Sequence, residues 1–130
     1  MVTVSFRDET TLGDHRLSWA MEIFEERLPL RELIRRRIHQ EVAEYNAARP
    51  TVFHGLVQPA GASIAPGGFR LDRPRRIDAE QQYELAVQAF TRNGFVVLVG
   101  DRQVEELDDV VDLHRDTDVT FLRLVALVGG

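Results

Sequence analysis

Cysteine and lysine are both absent from the 130 residues. Without Cys there is no disulfide framework, no thiolate nucleophile and no Cys-ligated zinc. Without Lys, all 16 basic side chains are Arg and no side-chain amine exists. Polymers linked through lysine are therefore excluded, and self-linkage is left with the amine of Met1 or a hydroxyl such as that of Ser63. No apolar run approaches the roughly 20 residues that span a bilayer. The opening Val2-Thr3-Val4-Ser5-Phe6 alternates instead of following the basic-then-apolar order of a signal peptide. No membrane association and a cytoplasmic location are expected. A positive excess is lacking too: the net charge is -5, which argues against nucleic acid as the main partner.

Catalytic signatures are also missing. His15, His39, His54 and His114 are scattered, with no H-E-x-x-H or other ligand spacing. No nucleophile elbow, Walker loop or G-x-G-x-x-G is present. Asp116-Thr117-Asp118 lacks the remaining ligands and Gly of a calcium loop. The chain is expected not to be an enzyme, with no catalytic residue, metal or cofactor.

What is present suits one globular domain, 44% hydrophobic and 28% charged. Val2, Val4 and Phe6, then Leu17, Trp19, Met21 and Ile23, alternate with other residues about a turn at Leu12-Gly13-Asp14, the pattern of an antiparallel hairpin. From Pro29 onward, Leu30, Leu33, Ile34, Ile38, Val42 and Tyr45 make the apolar stripe of a helix. Its other face carries Arg35-Arg36-Arg37, read as a solvated surface in preference to an anion site. Residues 48–76 form a Pro/Gly-rich insert in which no periodicity survives, though Ile64, Phe69 and others suggest that parts of it pack against this domain or another copy. Asp78 is a helix N-cap, and Asn93-Gly94 a stop. Phe95–Val99 reads as a buried strand, Gly100-Asp101 as a turn and Arg102–Val104 as a short returning strand. Residues 105–118 are acidic and irregular. A last strand, Val119–Val125, runs into Leu127-Val128-Gly129-Gly130.

Hairpin, crossing helix, further strands and a last strand pairing in parallel with the first make an α+β, β-grasp plan: a mixed sheet packed on a helix, here with a long insert and a second helix. Two adjacent closing glycines arise by chance at about half a per cent, taking Gly at about 7%. They leave a slim backbone able to thread a narrow channel and an unhindered carboxylate on a mobile tail, residues 126–130.

With these features the chain resembles the ubiquitin-like β-grasp family, which includes the sulfur carriers of thiamine and molybdopterin synthesis. The resemblance rests on Phe95–Val104 as the central hairpin and on Asp116–Gly130 as acidic turn, strand and diglycine tail. Its length and insert are most similar to the ubiquitin-like modifiers of bacterial conjugation operons (Bil and Bub type). That likeness implies that Gly130 is adenylated by an activating enzyme, passed to a conjugating enzyme and joined to a target protein, with a deconjugating peptidase to reverse it. Gly129 would serve steric access. Arg is missing close to the diglycine, so tail recognition falls to Leu127 and Val128. A sulfur carrier with a C-terminal thiocarboxylate and a non-covalent self-assembling module, a homo-oligomer through the 48–76 insert, remain alternatives. If Leu122 and Leu124 face the helix, then Phe121, Arg123 and Val125 form an outward partner surface.

Overall fold

A computed structural model describes residues 1–11, 15–114 and 117–124. The described chain is a mixture of strands and two helices. In order these are β1 (Val2–Thr10), β2 (His15–Ile23), β3 (Arg27–Pro29), α1 (Leu30–Ala48), β4 (Val52–Phe53), β5 (Ala62–Ala65), β6 (Gly68–Leu71), α2 (Ala79–Thr91), β7 (Phe95–Val99), β8 (Arg102–Val104), β9 (Val110–Asp112) and β10 (Asp118–Arg123). By its contacts the chain divides into two compact units, one of Met1–Arg31 with the chain from Phe90 onward, the other of Glu32–Ala89. Among the described residues, no helix is long and apolar enough to cross a membrane.

The first unit is built on a five-stranded sheet of order β2-β1-β10-β7-β8. β1 and β10 pair in parallel at its centre, and every other pairing in it is antiparallel. This is the first-with-last parallel pairing expected from the order of the elements. A parallel pair needs a long crossover, and residues 11–117 supply it. Val4, Phe6, Phe95, Val97, Val119 and Phe121 are buried. The β7–β8 turn is the two-residue Gly100-Asp101, with Gly100 at φ 63; its first position is where a type II′ turn requires glycine. Residues 105–118, expected to be irregular because they are acidic, include a strand. Val110–Asp112 form β9, which pairs antiparallel with β3, Leu28 opposite Val111. One buried side chain at the middle of each three-residue strand is too short a pattern to see in sequence.

Helix α1 starts without a side-chain cap. The N–H groups of Leu30 and Arg31 donate to the carbonyls of Asp109 and Leu107, both at 2.9 Å, so a loop distant in sequence satisfies two of its orphan donors. Its apolar stripe from Leu30 to Tyr45 is buried throughout. It ends where Arg49 turns to φ 45 and Pro50 follows.

The second unit joins the rest of α1, the insert and most of α2. Three side chains tie these pieces together. Asn46 pairs both ways with the Ile77 backbone, each bond 2.9 Å. Glu41 accepts from the Leu56 N–H at 3.1 Å, and Gln82 donates to the Val57 carbonyl at 3.2 Å. Asp78 caps α2 by accepting from the Gln81 N–H at 3.1 Å, as its position predicts, and Asn93 closes the helix at φ 61.

The insert, expected to lack regular structure, holds a three-stranded antiparallel sheet of order β4-β6-β5. The breakers that erase its periodicity are its turns. Pro66-Gly67 links β5 to β6, with Gly67 at φ 80, the Pro-then-Gly order of a type II turn. Gly68 is needed for close approach, because a Cβ there would lie 2.4 Å from the Phe53 carbonyl oxygen. The Arg35-Arg36-Arg37 face is not uniformly solvated either. Arg37 is only 1% exposed and pairs with Glu41 at 3.2 Å. Arg35 lies 4.0 Å over the Tyr83 ring and pairs with Glu80.

Candidate functional site

The segment that leads to the diglycine is β10, held on both sides. Towards β1 its register runs from Ser5 opposite Asp118 to Thr10 opposite Arg123. Towards β7 it runs from Val119 opposite Val99 to Arg123 opposite Phe95. At its end the Thr11 N–H donates to the Arg123 carbonyl at 3.0 Å, and the Leu124 N–H to the Gly94 carbonyl at 3.1 Å. Leu124 is thus fastened beside the turn that opens β7. Val125, Leu127, Val128, Gly129 and Gly130, with the rest of the expected tail at 126–130, lie outside the described residues.

Of the outward set expected on β10, Phe121 is buried, Arg123 is half-buried and Val125 lies outside the described residues, while Thr120 on the other face is buried too. Phe121 is 0% exposed and sits in a row of aromatic rings crossing the sheet. Trp19 to Phe6 is 5.5 Å between centroids, Phe6 to Phe121 6.1 Å, Phe121 to Phe95 6.2 Å and Phe95 to Phe90 5.7 Å. Phe121 is a core residue and belongs to no partner surface. Arg123, on the same side, is half-buried. The alternate residues lie on the other face: Leu122 opposite Val96 and Thr120 opposite Leu98, then Leu124, 41% exposed. Sequence reasoning missed this because both alternating sets carry large apolar residues, Val119 and Phe121 in one and Leu122 and Leu124 in the other. The signal that separates them is the aromatic at Phe6, Trp19 and Phe95, each on a strand of the same sheet.

Comparison with protein-family models, curated proteins and solved structures gives no match.

Among the described residues, no group of His, Asp and Glu could hold a metal ion. His39 lies 3.9 Å from Glu80. His54 Nδ1 is 2.7 Å from the Gly67 carbonyl, where it steadies the β5–β6 turn. The His114 N–H donates to the Thr117 hydroxyl at 2.8 Å. Each of these three histidines serves local structure.

Arg31 and Asp108 form the best-defined exposed ion pair of the first unit, Nε to Oδ1 at 2.7 Å. The hydrogen bond from Arg31, and then its charge, hold the Asp108 carboxyl below its usual value. A carboxyl depressed in the folded state contributes stability above its unfolded value, and loses it as pH falls through the folded one. The pair is exposed, so that contribution is small. In a carboxyl-resolved NMR titration, Asp108 should show a midpoint below that of an unpaired Asp. Arg31→Gln should raise that midpoint and leave the unfolding midpoint nearly unchanged.

Proposed function

We propose that this chain is a ubiquitin-like protein modifier with a β-grasp fold, whose Gly130 carboxylate is activated and transferred to a target. The observation that carries the reading is the β2-β1-β10-β7-β8 order with β1 and β10 parallel at its centre, followed in sequence by Gly129-Gly130. In that order the last strand is anchored on both sides, and whatever follows Leu124 leaves from a fixed point. The reading requires Gly130 to be the terminal residue, natively or after a peptidase has exposed it.

The chemistry is acyl activation. The Gly130 carboxylate attacks the α-phosphorus of ATP, pyrophosphate leaves, and an acyl-adenylate forms. A nucleophile of the activating or conjugating enzyme then displaces AMP, and an amine or hydroxyl of the target finally takes the acyl group. Two glycines suit this sequence because neither carries a side chain to block attack on the carbonyl. The face offered towards the end of β10 is Val96, Leu98, Leu122 and Leu124.

Intact-mass spectrometry with a conjugation-type activating enzyme, its conjugating enzyme and ATP tests the reading. We expect an adduct on a second polypeptide that disappears when Gly130 is deleted. A mass gain equal to one oxygen replaced by sulfur would make the protein a sulfur carrier instead. No change in either product would overturn both forms of carboxylate chemistry.

A further inference from the structure

Charge is laid out unevenly along this chain. Residues 48–76 carry Arg49, Arg70, Arg73, Arg75 and Arg76 against the single acid Asp72, on a protein whose net charge is -5. All five arginines are exposed, and among the described residues none of them forms an ion pair. The opposite sign gathers at Glu105, Glu106, Asp108, Asp109 and Asp112, of which Asp108 and Asp112 pair with Arg31 and Arg27 of the same chain and the other three carry the acidic excess.

Each of these regions also presents a large exposed apolar side chain, Ile64 in the insert at 81% and Val110 in the acidic segment at 56%. Each of the two sits on a strand with an unpaired edge. β5 ends the β4-β6-β5 sheet, and β9 pairs with β3 alone. The bonds from Leu30 N–H to the Asp109 carbonyl and from Leu113 N–H to the Glu26 carbonyl turn the odd-numbered residues towards β3. Antiparallel alternation then leaves the N–H and C=O of Val110 and Asp112 on the outer edge. On β5, the two-residue turn makes Ala65 with Gly68 and Ser63 with Arg70 the hydrogen-bonded pairs. The N–H and C=O of Ile64 therefore point away from β6. Those of Ala62 are already used, by the Pro59 carbonyl at 3.1 Å and the Gln58 amide at 2.6 Å. A cleft of about 450 Å³ lies along β9, lined by Val99, Val104, Val110 and Val111, with Arg102 beside the acids Asp109 and Asp112.

We propose that the β5 edge of one copy, centred on Ile64, docks on the β9 edge and cleft of a second copy. Ile64 meets Val110, unpaired backbone groups meet across the two edges, and the insert's arginines face the acids around the cleft. The occupant is a second copy because this one chain supplies both halves in complementary form: opposite charge, one exposed apolar residue each, and one free edge each. No charge interrupts the chain from Pro59 to Phe69, so the edges can approach without burying an ion. Exposed edge strands are usually guarded by a charge, and β5 has none. Two different surfaces meet, so the contact is heterologous and adds copies in rings or open chains in place of a twofold dimer.

Sedimentation of the isolated chain tests this, with neither ATP nor an activating enzyme, so its outcome is separate from that of the modifier reading. In about 0.1 M salt, where charges are felt over roughly 10 Å, the mean mass should climb with concentration. In about 1 M salt, where that length is about 3 Å, association should weaken about tenfold or more. Ile64→Asp and Val110→Arg, both at exposed positions, should each leave the circular dichroism unchanged and abolish growth when alone. Mixed together they should form a one-to-one dimer and nothing larger, because each keeps the surface that the other lacks. A wild-type monomer at every concentration would overturn the proposal, as would a mixture that stays monomeric. Growth that nuclease treatment abolishes would assign the arginines to nucleic acid and overturn it too.

Discussion

Phe121→Ala should lower the unfolding free energy by about 3–5 kcal/mol, the range for deleting a large aromatic from a packed core. Phe121 is fully buried, with Phe6 and Phe95 on either side at 6.1 and 6.2 Å. Truncation therefore removes two ring contacts as well as the transfer term, and leaves a cavity in the middle of the sheet. Its chain neighbour Leu124, 41% exposed on the other face, should tolerate Ala at a cost below about 1 kcal/mol. Urea unfolding of the two variants side by side checks the assignment of faces. Equal, small effects would mean that Phe121 faces solvent after all.

Glu41→Ala should be comparably severe, about 3–5 kcal/mol, for an electrostatic reason. The Arg37 guanidinium is 1% exposed and lies 3.2 Å from the Glu41 carboxylate. That carboxylate's other oxygen accepts from the Leu56 N–H at 3.1 Å. Removing it strands part of a buried cation and frees a backbone donor of the insert in one step. The double replacement Arg37→Leu with Glu41→Leu should recover much of the loss, since apolar groups of similar volume avoid the desolvation cost of both charges. Denaturant unfolding of the single and double variants reads the difference. The exposed Arg31–Asp108 pair, at 2.7 Å, is shorter than the Arg37–Glu41 pair and yet worth far less, because water screens it.

The parts of the fold legible in sequence were those with a sustained period. The β1–β2 hairpin, both helices, β7, β8 and the last strand follow from alternation, from the Leu30–Tyr45 stripe, and from punctuation at Asp78, Asn93 and Gly100. β3 and β9 were hidden because three residues cannot establish a period. β4, β5 and β6 were hidden because their turn residues lie so close together that they read as continuous irregularity. The side chain of Arg37 was misplaced for a different reason. Its position on the helix suits solvent, yet it is buried beside Glu41, whose other oxygen holds the Leu56 N–H of the insert. The orientation of β10 needed its neighbours: two sets that both hold large apolar residues are told apart by the aromatics on β1 and β7. Gly129 and Gly130 stand out in sequence alone.

The parallel pairing of β1 with β10 also governs the order of events on the ribosome. Residues 32–89 are one unbroken stretch, and every residue of that unit is made before β10. The other unit is split, and its central strand is the last to be made. Val4 and Phe6 therefore wait, on a hairpin with one open side, until Val119 and Phe121 leave the exit tunnel. A nascent chain that ends between residue 89 and β10 carries the whole of the second unit and lacks the central strand of the first.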